Sequence, residues 1–463
     1  MAGRWSGPQA LAREAEEQFR PFDTVELRAE AAREMEELRR DYDFQGIDRV
    51  VAIEPWGRSG SMLLASYFDG HDDVLTLPAL RSNGIYIFFG AYSTLSLREK
   101  LQSYPLFDEF HDPHSAAAGC GRSLFEGPFS IGRGEYLAAV LAVCAVYDTL
   151  PPEFTGSARG FFIALHVAFN RALGRRPRTS RPLIVCAQHE RDNPTATHLV
   201  EDFADARFIH AVRDPISAVD RLFDWFFDAD LLPERQPTAA ERLQRGYARP
   251  ARYVSVLAPW MVLRLMIDSD RPHRGVVGRT RVVRFEDMHH RTGEVMRDLA
   301  GWLGLPVTPA LSQSTFIGKA YVVARDGKSW SGPRREKIKR ESRNLWRKDR
   351  ALIYGLFREN FVSWGYPCPK AFDHWPIRLA AISLTALLPT RMEWIVAKAA
   401  WRRRVWPLLK RGQWRTPADT LARLVFSRLA IGYLAIREIL LRLFHRRFVV
   451  EFEHTENPAF EDR

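Results

Sequence analysis

Arg49-Val-Val-Ala-Ile-Glu-Pro-Trp-Gly-Arg-Ser-Gly-Ser-Met-Leu-Leu-Ala-Ser-Tyr-Phe68 decides the fold, and it divides into three pieces. Val50 to Ile53 is a continuous apolar, largely β-branched run, the pattern of a strand buried on both faces. Pro55 to Gly60 breaks it into a short loop, and from about Ser61 the spacing predicts a helix. Strand, glycine loop and helix together make a phosphate cradle. Glycines let the backbone come close, freed N–H groups point at the oxygens, and the helix dipole favours negative charge. Arg58, Ser59 and Ser61 add a cation and two hydroxyls. A tight turn that holds nothing is the other reading this stretch allows.

No Gly-Lys-Ser/Thr follows the loop at the Walker spacing, which argues against an enzyme of Mg-ATP and asks for a different phosphate-bearing ligand. The chain of 463 residues is long enough for one large α/β domain with appendages. Its four cysteines (Cys120, Cys144, Cys186, Cys368) form no CxxC pair and have no histidine at metal-ligand spacing. Neither a metal site nor a disulfide framework is expected.

Working outward, Leu183–Ala187, Phe208–Val212 and Arg281–Phe285 are predicted as further buried strands. Ser61–Asp69, Ala196–Phe203, Ser217–Phe227 and Thr292–Leu303 are predicted as helices. Residues 1–45 read as one or two amphipathic helices that touch the rest through Leu11, Ala15, Phe19 and Leu38. The Gly-, Phe- and Ala-rich stretch 90–180 reads as a helical insertion that lines an acceptor cleft. The expected organisation is a helical extension (1–45), an α/β domain (46–370) and a basic helical tail (371–463).

Ala206-Arg-Phe-Ile-His-Ala-Val-Arg-Asp-Pro-Ile-Ser217 is the second landmark. An arginine at the C-terminal end of a parallel strand lies on the ligand side of an open α/β sheet. The fork of Arg213 matches a phosphate at two points, although a structural arginine at a sheet edge would read the same way. Asp214 or Ser217 would cap the next helix.

These two landmarks, in this order, resemble the PAPS-dependent sulfotransferase family, of the bacterial type. Arg281-Val-Val-Arg-Phe-Glu-Asp-Met288, followed by Trp302-Leu-Gly-Leu-Pro306, is similar to a third element of that family. Trp364-Gly-Tyr-Pro367 is similar to its closing motif. The resemblance covers about residues 46–370 and implies a P-loop-like three-layer αβα fold around a mostly parallel sheet. It also implies transfer of a sulfuryl group from PAPS to a hydroxyl or amine of a glycan, glycolipid or small molecule. Arg58, Ser59, Gly60, Ser61 and Met62 would then hold the 5′-phosphosulfate, and Arg213 the 3′-phosphate.

Eight residues after Arg213, where the family has a serine, stands Arg221. It would replace the hydroxyl by a charge-assisted contact, leave that place to Ser217, or be a solvated helix charge. Lys328 and Arg334, with Arg335, lie where the family sends a basic loop over the nucleotide. Nine Lys+Arg against three acids in 334–350 equally describe an exposed basic helix.

Such transfer needs positioning and charge stabilisation, with Arg58 facing the leaving phosphate, and a base for the acceptor's proton. The family's glutamate is missing from His71-Asp-Asp-Val-Leu-Thr-Leu-Pro-Ala-Leu80. His189 lies 24 residues before Arg213 and just beyond the Leu183–Ala187 run; it is the candidate base. Glu190 ranks second and His71 below it. The rival readings are a P-loop kinase-like phosphotransferase and a non-catalytic polyanion- or membrane-binding protein.

The net charge of +11 is unevenly placed, since residues 371–450 carry 15 Lys+Arg against four acids. No nucleic-acid-binding motif accompanies this charge, so nucleic acid is not an expected partner. Apolar clusters interleaved with Arg402–Arg404 and Lys410 suit an interfacial helix on an anionic membrane. They also suit helices packed on the domain with a solvated basic face. The clusters read as too short and too interrupted to span a bilayer. Met1 to Asp43 shows neither a signal-peptide core nor an apolar anchor. The resulting expectation is a cytoplasmic enzyme, peripheral at the inner face of the membrane, with a carbohydrate or lipid-linked acceptor.

Overall fold

The computed structural model of the chain describes residues 7–77, 84–104, 106, 132–187, 195–227, 254–268, 278–325, 328–335, 338 and 342–444. Five parallel strands form its central sheet: β1 (Arg49–Pro55), β2 (Val74–Thr76), β3 (Leu183–Ala187), β4 (Asp205–Val212) and β5 (Thr280–Arg284). Their order is β2-β3-β1-β4-β5. β1 pairs with β3 from Val50↔Ile184 to Ile53↔Ala187, and with β4 from Arg49↔Asp205 to Pro55↔Ala211.

The period of two in β1 separates two cores. Val50 and Ala52 join one cluster with Ile184, Cys186 and Phe208. It is covered by helices Arg133–Tyr147 and Ala158–Ala172 and extends to Phe19 and Leu38 of the N-terminal helices. Val51 and Ile53 face the other way and pack with Leu63, Leu64, Val185, Ile209, Leu299 and Leu303. Helices on both faces of a parallel sheet make the three-layer α/β architecture expected from the opening strand.

Two helices, Pro8–Phe19 and Val25–Asp41, occupy the N-terminal region. Arg171 fastens the second of them. Its side chain is almost fully buried and meets Glu34 at 2.6 Å, Glu37 at 2.8 Å and Asp41 at 3.2 Å. Within 90–180, the described helices Arg133–Tyr147 and Ala158–Ala172 are the covering layer of the sheet. In the second, every residue from Gly160 to Arg171 is buried.

Two strand readings need correction. β2 was not anticipated, because three residues at a sheet edge give too short an apolar run to stand out. β5 ends at Arg284, and Phe285 opens helix Phe285–His290 instead of closing the strand. Leaving the sheet there puts the Phe285 ring under the opening loop.

A third core joins Trp56 and Val212 at the top of the sheet to helices Pro215–Phe226, Val254–Asp268 and Arg347–Ser363, and onward to the tail. The tail comprises helices Trp375–Leu387, Arg391–Ala400, Trp406–Lys410 and Arg415–Phe444. Asp349 bolts it on by accepting from the N–H of Trp346 at 2.8 Å and of Arg391 at 2.9 Å. By length and composition alone Trp375–Lys410 is apolar enough to cross a membrane, but it is interrupted between helices Trp375–Leu387 and Arg391–Ala400.

Candidate active site

In this strand order the chain leaves β1 towards β2 and leaves β4 towards β5, in opposite directions. A crevice therefore opens above the C-terminal ends of these two neighbouring strands, where open α/β sheets take their ligands. Both sequence landmarks end there.

The loop after β1 is held on three sides. The Trp56 N–H donates to the Ala211 carbonyl at 2.9 Å and continues the β1–β4 pairing by one residue. The Trp56 ring meets Trp364 edge-on at 4.7 Å and Phe357 at 5.2 Å. Gly57 and Gly60 have φ of +64° and +81°. A Cβ at Gly57 would lie 2.9 Å from the Met266 sulfur, and one at Gly60 2.7 Å from the Phe285 ring. Only glycine fits both the dihedrals and the space.

Helix Ser61–Ser66 then begins with no side chain capping it. Ser61 is half-buried, whereas Met62 packs its side chain against the apolar core and offers the crevice only its backbone. The Ser59 hydroxyl is buried and has no hydrogen-bond partner among the described residues. A buried hydroxyl without a partner is costly unless a ligand completes it.

Arg213 emerges from β4 beside this loop. Its guanidinium lies 4.1 Å from the centre of the Phe285 ring, and Nη1 reaches towards the Arg58 carbonyl at 3.5 Å. Burial pushes its pKa below the ordinary arginine value, against the pull of the Glu286 carboxylate. The cap of the following helix is Asp214, whose Oδ1 accepts from the Ser217 N–H at 2.8 Å, with Pro215 in the first turn. Ser217 is buried in that turn. Arg221, about one-third exposed, pairs with Asp224 at 3.5 Å. It is close enough that its charge also disfavours that of Arg213. Two guanidiniums held close together favour an anion between or beside them.

The third and fourth motifs close the same crevice. Glu286 accepts from the Asp214 N–H at 3.3 Å and from the Tyr366 hydroxyl. Burial pushes the Glu286 carboxyl above the usual carboxylate range, and pushes the Tyr366 phenol well up as well. Trp364, two residues before Tyr366, is the ring against Trp56. No role had been assigned to Glu286 from sequence. The available signal was an acidic residue just past the end of a strand that adjoins β4.

Other expected site residues lie further out. The Arg334 N–H donates to His289 Nδ1 at 2.8 Å, and the His289 ring packs edge-on against Phe285 at 4.3 Å, so the basic segment approaches the crevice through its backbone. Lys328 opens the second strand of a hairpin, paired with Arg325, and its side chain lies outside the described residues. His189 and Glu190 also lie outside them.

His71 sits ahead of β2, at the opposite end of the sheet from the crevice. It donates through Nε2 to the Pro306 carbonyl at 2.9 Å and accepts at Nδ1 from the Asp73 N–H at 3.1 Å. Both ring nitrogens are thereby committed to structure.

No family model matches this chain, and no curated protein does. Among solved structures it is similar to a sulfotransferase domain from the curacin biosynthetic pathway, at 14% identity and a TM-score of 0.34, over 70% of this chain and 99% of that one. It is similar to sulfotransferase STF9 from Mycobacterium avium at 13% identity and a TM-score of 0.34, over 72% of this chain and 82% of that one. The sulfotransferase domain of the Synechococcus PCC 7002 olefin synthase shares 15% identity with a TM-score of 0.29, over 78% and 96%. Sulfotransferase STF1 from Mycobacterium tuberculosis H37Rv is a further similar structure, at 10% identity and a TM-score of 0.29, over 65% of this chain and 74% of that one.

Proposed function

We propose that this chain is a sulfotransferase that moves a sulfuryl group from PAPS to a hydroxyl of a glycan, glycolipid or small-molecule acceptor. One observation carries the reading. Four segments far apart in sequence, around Arg58, Arg213, Glu286 and Tyr366, converge on one cationic crevice at the β1/β4 ends.

The residues present fit such a nucleotide. Gly57 and Gly60 keep the loop bare of side chains, so that a phosphate can approach its N–H groups. Ser59 has a buried hydroxyl in want of a partner. Arg213 reaches the Arg58 carbonyl of this loop, and Arg221 on the next helix adds a second cation that would serve a second phosphate.

Bound PAPS would supply the sulfuryl group together with its phosphate leaving group. The protein's part is to place and to neutralise. Arg58 and the loop offset charge that builds on the leaving phosphate. Arg213, over the Phe285 ring and attracted by the Glu286 carboxylate, fixes the far end of the nucleotide. Preset orientation removes entropy from the reaction step. His189 is proposed as the base that takes the acceptor's proton.

Calorimetric titration separates this reading from a kinase-like one. The expected result is binding of 3′,5′-ADP in preference to Mg-ATP, lost in Arg58→Ala and in Arg213→Ala. Tight Mg-ATP binding with none for 3′,5′-ADP would overturn the assignment.

A further inference from the structure

The tail shows a reversal of the usual sorting of side chains. In helix Arg415–Phe444 the residues turned towards the protein include Thr420, Ser427 and Glu438 along with Ile431, Leu434 and Ala435. The outward stripe is Leu421, Val425, Leu429, Tyr433, Ile436 and Leu440, at steps of four, four, four, three and four residues. These steps follow one side of an α-helix along its length. Leu429 and Tyr433 are 67% and 66% exposed.

Three cations of this helix, meanwhile, turn aside to partners. Arg423 pairs with Asp419 at 3.0 Å and Arg428 with Glu393 at 3.1 Å, while Arg437 pairs with Glu438 at 3.0 Å. Arg428 also holds the Thr385 carbonyl at 2.5 Å, which fixes helix Trp375–Leu387 alongside. That helix too presents Ile377, Leu384 and Leu387 outward. Two helices in contact with each other thus both carry exposed aliphatic residues, a grouping that marks interaction surfaces more often than single exposed residues do.

The border of this surface is cationic and aromatic. A cavity of about 560 Å³, open to solvent, is lined by Trp346, Arg391, Trp394, Lys398, Arg402 and Arg403. Beyond it Trp401 and Trp406 stack at 6.3 Å, and Lys410 lies over the Trp406 ring at 5.1 Å. Aliphatic face, tryptophan belt and Lys/Arg rim is the sequence of layers that a protein meets on entering an anionic bilayer.

We infer that the tail is a docking surface for an anionic membrane. The outer faces of Trp375–Leu387 and Arg415–Phe444 enter the acyl region, and the Arg391–Arg403 cavity takes lipid phosphates. Charge complementarity selects this occupant over a second copy of the chain. Two identical tails face to face would oppose two surfaces of the same excess, since residues 375–444 carry 13 Lys+Arg against three acids in each. The apolar run Trp375–Lys410 is divided at Leu388-Pro-Thr390 into separate helices and carries Arg391, Lys398 and Arg402–Arg404 in its second half. It lies on the bilayer and does not span it.

Flotation of the full chain with vesicles of phosphatidylcholine, with and without phosphatidylglycerol, tests this. The expected result is binding only to vesicles containing phosphatidylglycerol, weakened by salt. Binding should fall about tenfold in Leu429→Glu/Tyr433→Glu and again in Lys398→Glu/Arg402→Glu. Circular dichroism should show both variants folded, since the changed residues are not part of a core. Absence of flotation, equal binding to both vesicles, or unchanged binding in both folded variants would overturn the inference. So would a wild-type dimer in sedimentation equilibrium that Leu429→Glu/Tyr433→Glu dissolves, because it would assign the face to a second copy.

Discussion

The sheet domain and the tail solve the same problem, where to put polar groups, in opposite ways. At the β1/β4 crevice, Arg213 and Ser59 are buried and Glu286 half-buried, beside the buried rings of Trp56, Phe285 and Trp364. Burying them costs free energy, and most of it is offset by mutual contacts. What remains there, such as the Ser59 hydroxyl, is the part that the proposed ligand would satisfy. In the tail the reversal lies on the outside, where aliphatic residues face solvent and the guanidiniums are tied back. An interior that takes up polar groups points to a small polar ligand. An exterior that displays apolar ones points to an apolar neighbour.

The largest effect should come from breaking the crevice itself. Arg213→Ala leaves the half-buried Glu286 without a nearby countercharge and removes the cation from the proposed phosphate site. Calorimetry should show a loss of about 100-fold or more in 3′,5′-ADP affinity, on the order of 3 kcal/mol. Arg213→Lys should recover only part, because a point charge lacks the fork. An affinity unchanged in Arg213→Ala would remove the crevice's claim to the nucleotide.

His166 tests the domain interior away from the crevice. Its ring is fully buried, Nδ1 donates to the Phe162 carbonyl at 2.7 Å, and Nε2 has no partner among the described residues. Burial depresses its pKa to about 4, from the ordinary 6.5. The unfolded chain therefore takes up a proton on this ring at a pH where the folded chain refuses it. Stability present above pH 6.5 should be lost as pH falls towards about 4, and level off below. This one group accounts for about 3 kcal/mol of that loss. Denaturant titrations of wild type and His166→Phe at several pH values measure the difference. Parallel curves would show that the ring is not held neutral.

Much of the domain was legible because buried parallel strands write themselves as unbroken apolar runs. Leu183–Ala187 and Thr292–Leu303 were read with the bounds they have. β2 was not, since three edge residues carry too little pattern. Glu286 and Tyr366 stood inside quoted motifs without a role, because their contact joins chain positions 80 residues apart. The outward face of Arg415–Phe444 was illegible for a different reason. Periodicity shows that a helix has an apolar stripe but not which way the stripe points, and the usual inference that it points inward fails here.

Tyr366→Phe sharpens the comparison from the crevice side with a smaller step. It deletes one donor to Glu286 and keeps the ring in place, so the carboxylate is held less firmly against Asp214 and Arg213. A loss of about tenfold in nucleotide affinity with little change in unfolding midpoint is expected. An equal loss in both would mean that Tyr366 serves packing alone.

The smallest effect should be found on the tail's outer stripe, and its smallness is the point. Leu429→Ser replaces an aliphatic side chain by a polar one. In a domain position such as Ile53, fully buried between β3 and β4, such a change would remove a core contact and strand a hydroxyl, at a cost of several kcal/mol. At Leu429, two-thirds exposed, neither term applies, because water already covers the side chain in the folded state. Thermal unfolding without lipid should therefore shift by no more than about 0.5 kcal/mol in either direction. A loss of several kcal/mol would mean that the stripe is covered by the protein itself, and the contrast between the two regions would collapse. Near-neutral stability would leave the six apolar positions of the stripe unexplained by packing among the described residues, which is what a surface kept for an apolar neighbour predicts.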